Sequence, residues 1–117
     1  MKTNVFKNEA INQCRKSSYK QRLGAVVVYK GKIVGKGCNK VMGTGKTRID
    51  GFHAEIEAIN NTPAIYRKNS TVYVCRINKI ENIMMSKPCH GCETILRKLG
   101  VKYVWYSQSG EWKKMVL

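Results

Sequence analysis

His53, Glu55, Cys89 and Cys92 are the residues whose types and spacing could do chemistry. They fall in two short segments, His53-Ala54-Glu55 and Pro88-Cys89-His90-Gly91-Cys92. Two thiols at the second spacing can hold one tetrahedral zinc from the first turn of a helix. Backbone N–H groups and the helix dipole stabilise thiolates there. Taken alone, the same spacing serves a redox pair or half of a structural zinc site. His53 changes the balance, because an imidazole at the start of a second helix can point off the helix end. One imidazole and two thiolates make three protein ligands. A structural site closes with a fourth, whereas three leave a place for water, whose pKa zinc lowers towards 7. Glu55, two positions beyond His53, need not bind the metal. It can stand beside the water, accept its proton and pass it on.

These segments need a frame, and the chain has room for one domain, residues 1–117. Hydrophobic residues make up 43% of it, enough for one packed core. No apolar run approaches the roughly 20 residues of a membrane span. Met1 to Ala10 has no apolar stretch of the secretory kind, so the expectation is a cytoplasmic protein with no membrane partner. The five cysteines form no regular framework, and a reducing compartment disfavours disulfides. The formal charge is +15, from 22 Lys and Arg against 7 Asp and Glu. That excess points to a polyanionic or phosphorylated partner. A lysine-rich codon bias would raise Lys but not explain why acids are so few.

Thr3 to Arg15 reads as an amphipathic helix, with Val5, Phe6, Ala10, Ile11 and Cys14 near helical spacing. Leu23 to Tyr29 and Ile33 to Cys38 read as strands joined by a turn at Lys30-Gly31. Asn39 to Phe52 is glycine-rich and basic and reads as a loop. His53 to Asn60 is a helix, Thr71 to Ile77 a strand, and Asn78 to Lys87 an ambiguous connector. Cys89 to Leu99 is a helix stopped by Gly100. Val101 to Tyr106 and Glu111 to Val116 are strands about a turn at Ser107 to Gly110. This order predicts an α/β fold with a mixed sheet packed between helices.

The order H-x-E then P-C-x-x-C is the signature of zinc nucleobase deaminases, so the chain resembles the cytidine/deoxycytidylate deaminase superfamily. The likeness extends over "LGAVVVYKGKIVGKGCN" at Leu23 to Asn39, "HAEIEAI" at His53 to Ile59, and "PCHGCETILRKLGVKYVWY" at Pro88 to Tyr106. It implies a three-layer α/β/α fold on a mixed five-stranded sheet. It implies Zn2+ on His53, Cys89 and Cys92, with Glu55 shuttling protons in a hydrolytic deamination. It also implies that Asn39 hydrogen-bonds the sugar and that the Ala54 backbone holds the base. Relatives assemble as dimers or tetramers, so a homo-oligomer is expected. His90 reads as a loop residue, since the family pattern leaves that position free.

Departures from the pattern bear on substrate. The short turn before Glu111 makes the last two strands an antiparallel hairpin, as in free-nucleoside cytidine deaminases and some deaminase toxins. Yet Asn39-Lys40-Val41 lacks the acid of the Asn-x-Glu with which those enzymes bind the sugar hydroxyl. Lys40, Lys46 and Arg48 are expected to border the pocket and hold substrate phosphates, against the plainer reading of a solvated surface loop. Gly43 to Thr47 is no P-loop, because Lys40 stands where its first glycine belongs. Lys87 sits where many relatives have an acid or a small polar residue. The connector at 78–87 is longer than expected and lies close to the metal. Trp105, Tyr106 and Trp112 read as core or dimer contacts, with base stacking as the alternative. The leading expectation is therefore deamination of cytosine in a free nucleotide or nucleoside. The alternative is a polynucleotide-editing deaminase acting on cytosine or adenine in single-stranded DNA or RNA. A third reading, a non-catalytic zinc module that binds nucleic acid, leaves Glu55 without a purpose.

Overall fold

The computed structural model describes residues 2–17, 22–42 and 49–117. The elements are α1 (Lys2–Arg15), β1 (Arg22–Tyr29), β2 (Lys32–Cys38), β3 (Lys40–Met42), β4 (Ile49–Phe52), α2 (Ala54–Asn60), β5 (Thr71–Ile77), β6 (Ile83–Met84), α3 (His90–Lys98), β7 (Tyr103–Gln108) and β8 (Glu111–Val116). A single 3₁₀ turn at Ala64–Tyr66 lies between α2 and β5.

The valine runs of β1 and β5 form the middle of the sheet, because both are buried on their two faces. They pair antiparallel from Arg22↔Ile77 to Val28↔Thr71. Ala25 and Val27 of β1, with Val72 and Val74 of β5, face α2 and α3 and join Ala54, Ala58, Ile59, Leu96 and Val104 in one core. Val26, Val28, Tyr73, Cys75 and Ile77 point the other way, onto Phe6, Ala10 and Cys14 of α1. Successive residues thus serve opposite layers, as the strand period of two requires. The result is the expected α/β/α sandwich.

The strand order is β2-β1-β5-β7-β8, and every pairing is antiparallel except β5 with β7. That parallel step is crossed by α3. The final hairpin is antiparallel as expected, from Tyr103↔Val116 to Gln108↔Glu111. The sheet has six strands rather than five, because β6 pairs with Arg76 and Ile77 beyond the stretch of β5 that β7 covers. Two residues are too short to show a period, which is why the sequence hid it inside the connector. Asn39 to Phe52 is likewise not all loop. β3 and β4 pair with each other, Lys40↔Phe52 and Met42↔Ile49, in a small separate hairpin. Backbone bonding holds it despite a glycine- and lysine-rich composition.

Two close features explain local sequence. The β1–β2 turn has Lys30 at φ 49° and Gly31 at φ 78°, the left-handed pair that suits a tight hairpin. Gly24 lies where a Cβ would run into the backbone of Ala10, Gln13 and Cys14, so its lack of a side chain lets α1 rest on β1. Among the described residues, no helix is long and apolar enough to cross a membrane.

Candidate metal centre

Both helices of the inner layer begin at one place. His53 is the N-cap of α2 (φ −72°, ψ 136°), and Cys89 is the N-cap of α3 (φ −68°, ψ 165°). Their extended backbone turns the side chains off the helix ends, while their carbonyls accept the first helical bonds from Glu57 and Glu93 at 3.1 and 2.9 Å. Neither cap side chain bonds its own helix. Ser, Thr, Asp and Asn are the residues that stabilise such caps. An imidazole and a thiol there forgo that stabilisation and leave their donor atoms directed outward.

The donors of His53, Cys89 and Cys92 all lie within 4.8 Å of one another. Tetrahedral zinc, at about 2.3 Å from sulfur and about 2.0 Å from nitrogen, requires donors roughly 3.5–3.8 Å apart. A small closure of the three side chains therefore seats the ion. Donor set and spacing both fit zinc with one position left over. His90 is exposed on the first turn of α3 and is not one of the group, as expected.

Glu55 lies beneath this triad. It is 2% exposed, and its Oε1 stands 3.6 Å from Nδ1 of His53. That carboxylate raises the His53 pKa above its ordinary value, through the side-chain contact first and its charge second. The two thiols differ. The backbone N–H of Cys92 faces the Cys89 sulfur and holds its pKa below the ordinary thiol value, as expected at a helix N-terminus. Burial pushes the Cys92 thiol far up, and the negative charge of Glu55 adds to it.

The loop that delivers Cys89 is held by residues the sequence did not single out. The Ser107 N–H donates to Ser86 Oγ at 2.7 Å, Ser86 Oγ donates to the Val74 carbonyl at 2.8 Å, and Ser107 Oγ donates to the Met84 carbonyl at 2.7 Å. The Ser86 N–H donates to the Ser107 carbonyl at 2.9 Å. Both serines are buried, and together they fasten the connector to β5 and β7 just before Pro88. Small polar residues carry no sequence signal until their partners are known. Upstream, the connector closes on itself: Asn78 Oδ1 accepts from the Ile80 and Asn82 amides at 3.1 and 2.9 Å. The inserted residues thus make a turn of their own.

Asn39 is buried at the end of β2, and its Oδ1 accepts the Leu23 amide at 2.9 Å. Ala54 is fully buried as the first residue of α2. Lys40 begins β3, directly after Asn39, whereas Lys46 and Arg48 lie outside the described residues. Trp105 and Trp112 pack against the α1 side of the sheet, and Tyr106 against the α2–α3 side.

The profile of the cytidine and deoxycytidylate deaminase zinc-binding region matches residues 2–108. No curated protein matches the sequence significantly. Among solved structures, a cytidine deaminase from Burkholderia pseudomallei is similar with a TM-score of 0.72 at 20% identity, covering 99% of this chain and 93% of that one. A dCMP deaminase from the cyanophage S-TIM5, in complex with dCMP and dUMP, gives 0.67 at 21% identity over 89% of this chain and 79% of its own. A cytidine deaminase from Mycobacterium tuberculosis gives 0.60 at 14% identity over 96% and 89%.

Proposed function

The chain belongs to the cytidine and deoxycytidylate deaminase family, and on that premise we propose that it converts cytosine to uracil in a free nucleotide or nucleoside, with release of ammonia. The observation that carries this reading is Glu55, a carboxylate 2% exposed and set beside three metal donors without being one of them. Bound zinc, held by His53, Cys89 and Cys92, supplies the Lewis acidity that makes water a nucleophile near neutral pH. Glu55 takes the proton that the attacking water loses and delivers it to the ring nitrogen next to the amine-bearing carbon. It then carries the second proton to the amine, which leaves as ammonia. Burial of Glu55 keeps bulk water from competing for those protons.

Asn39 and the Ala54 backbone are the candidates to hold sugar and base, since Asn39 closes the end of β2 and Ala54 lies between His53 and Glu55. The antiparallel β8 favours the free-nucleoside branch and some deaminase toxins over the branches with a parallel last strand. Val41 stands where Asn-x-Glu has its acid, and with that acid missing the neighbouring Lys40 favours a substrate that bears phosphate. The charge of +15 favours the second reading, a cytosine or adenine within a single strand.

The test is a substrate panel read by mass spectrometry, with the zinc-loaded protein and Glu55→Gln as the blank. Conversion of cytidine, deoxycytidine or their monophosphates is the expected result. Conversion confined to DNA or RNA strands would replace the proposal with the editing reading. A zinc-loaded protein that converts no cytosine at all would remove the proposal and leave the editing reading only its adenine form, which adenine-containing strands then test.

A further inference from the structure

The outer layer of the sandwich is incomplete. α1 packs over β1, β2 and β5, while the same face of β7 and β8 continues past it. Strand alternation puts Tyr103 and Trp105 of β7 on that face. Across the ladder, Trp105 lies opposite Lys114, and Tyr103 opposite Val116, which is 70% exposed. Trp112 joins them from the other end of β8.

Cations are interleaved with these rings. Lys114 Nζ stands 3.9 Å from the centre of the Tyr103 ring and 5.8 Å from that of Trp105. Lys7 Nζ, from α1, lies 5.2 Å from Trp105 and 5.8 Å from Trp112. Lys102 Nζ is 5.4 Å from Tyr103. The Trp105 ring is also braced from within, lying 6.1 Å from Tyr73 with 3° between their planes. The contact lays the Trp105 ring parallel to that of its neighbour on β5.

We propose that this β7–β8 face binds single-stranded nucleic acid without sequence preference, its bases stacking on Tyr103, Trp105 and Trp112 and its phosphates meeting Lys7, Lys102 and Lys114. Aromatic platforms with interspersed cations are the chemistry that holds single strands, because every base has a stacking face and every linkage a charge. The lysines that rest on the rings are flexible enough to swing to a phosphate when a base takes their place. A second copy of this chain fits the face poorly. It would bring another +15 protein against the same lysines. The platform lies on the opposite face of the sheet from α2 and α3, which hold the metal donors. It does not depend on which cytosine compound the protein converts.

The test measures binding rather than turnover, on the zinc-loaded protein with labelled oligo(dT) and oligo(U) of 15 nucleotides. Anisotropy gives affinity at several salt concentrations, and tryptophan fluorescence reports stacking. The expected results are tryptophan quenching and stronger binding to single strands than to duplex of the same length. Single strands give a salt slope of roughly 0.7 per phosphate neutralised, so replacing all three lysines by Ala should lower the slope by about 2. Tyr103→Leu should weaken binding by roughly 5- to 150-fold, the range for losing one stacked base, with the slope unchanged. Circular dichroism and zinc content establish that each variant is folded. The proposal is overturned if no oligonucleotide binds, or if duplex binds as well as single strands. It is equally overturned if the folded lysine and tyrosine variants bind like the parent. A face whose variants change only the sedimentation of the protein, and not oligonucleotide binding, is a contact between copies instead.

Discussion

The two faces of the central sheet are finished differently. On one, α2 and α3 close over Ala25, Val27, Val72, Val74 and Val104, all fully buried. On the other, α1 closes over the middle strands and leaves aromatic rings and lysines on β7 and β8 half in water. The closed face gives rigid helix starts at which His53, Cys89 and Cys92 can be held to a few ångströms. The open face lacks a covering helix over β7 and β8, and its rings and lysines are partly exposed there. Chemistry sits where packing is complete, and recognition where it is not.

The greatest difference between the faces should follow from removing a metal donor. Cys92 is the buried thiol of the set, 4% exposed and part of the α3 contact with the core. Cys92→Ser should leave less than about a tenth of the zinc and reduce deamination to background, because a neutral hydroxyl cannot replace a thiolate on this metal. Elemental analysis of the purified variant is the check. Full zinc occupancy in that variant would mean that the closed face does not hold the metal. Glu55→Gln makes the complementary cut: zinc stays, and kcat falls by roughly 10²- to 10⁴-fold, the usual worth of a placed acid–base group. If Glu55 were instead a structural partner of His53, zinc would be lost along with turnover.

Much of the closed face is legible in the sequence, and much of the open face is not. H-x-E and C-x-x-C are local patterns in which a few positions fix donor type, order and helix start together. The valine runs of β1 and β5 declare a strand buried on both sides. In contrast, β6 and the β3–β4 hairpin are held by pairing between distant short segments, and composition is silent about that. The serine pair that anchors the Cys89 loop is invisible for the same reason: Ser86 and Ser107 are 21 positions apart. Trp105 and Trp112 look like core residues by type. Only the extent of α1 shows that their strands are half-covered.

A smaller effect concerns the proton account of the metal. With no metal bound, the Cys92 thiol is protonated at neutral pH, since burial first and Glu55 second hold its pKa far above the ordinary value. Zinc takes the thiolate, so binding releases that proton. Apparent affinity should then fall about tenfold for each pH unit downward per proton released. His53 has a raised pKa, and its protonated form cannot ligate, so the loss steepens as pH falls through that value, while above it His53 adds nothing to the slope. Competition against a chromophoric chelator between pH 6 and 8 reads the slope. A flat profile would mean that the thiolates are already formed in the metal-free protein.

The smallest expected effect compares one residue type on the two faces. Val104 of β7 is fully buried against the α2–α3 side, and Val116 of β8 is 70% exposed on the open side. Val104→Ala removes two buried methyl groups, about 0.8 kcal/mol for each buried carbon, and leaves a cavity besides. The total loss of folding stability should be about 2 kcal/mol. Val116→Ala removes the same atoms from water-exposed surface and should stay within about 0.5 kcal/mol of the parent. Urea unfolding of the two variants, with equal m values as the sign that both unfold from the same state, gives the difference directly. If Val116→Ala costs as much as Val104→Ala, the β7–β8 face is covered in solution, and the contrast between the two faces fails.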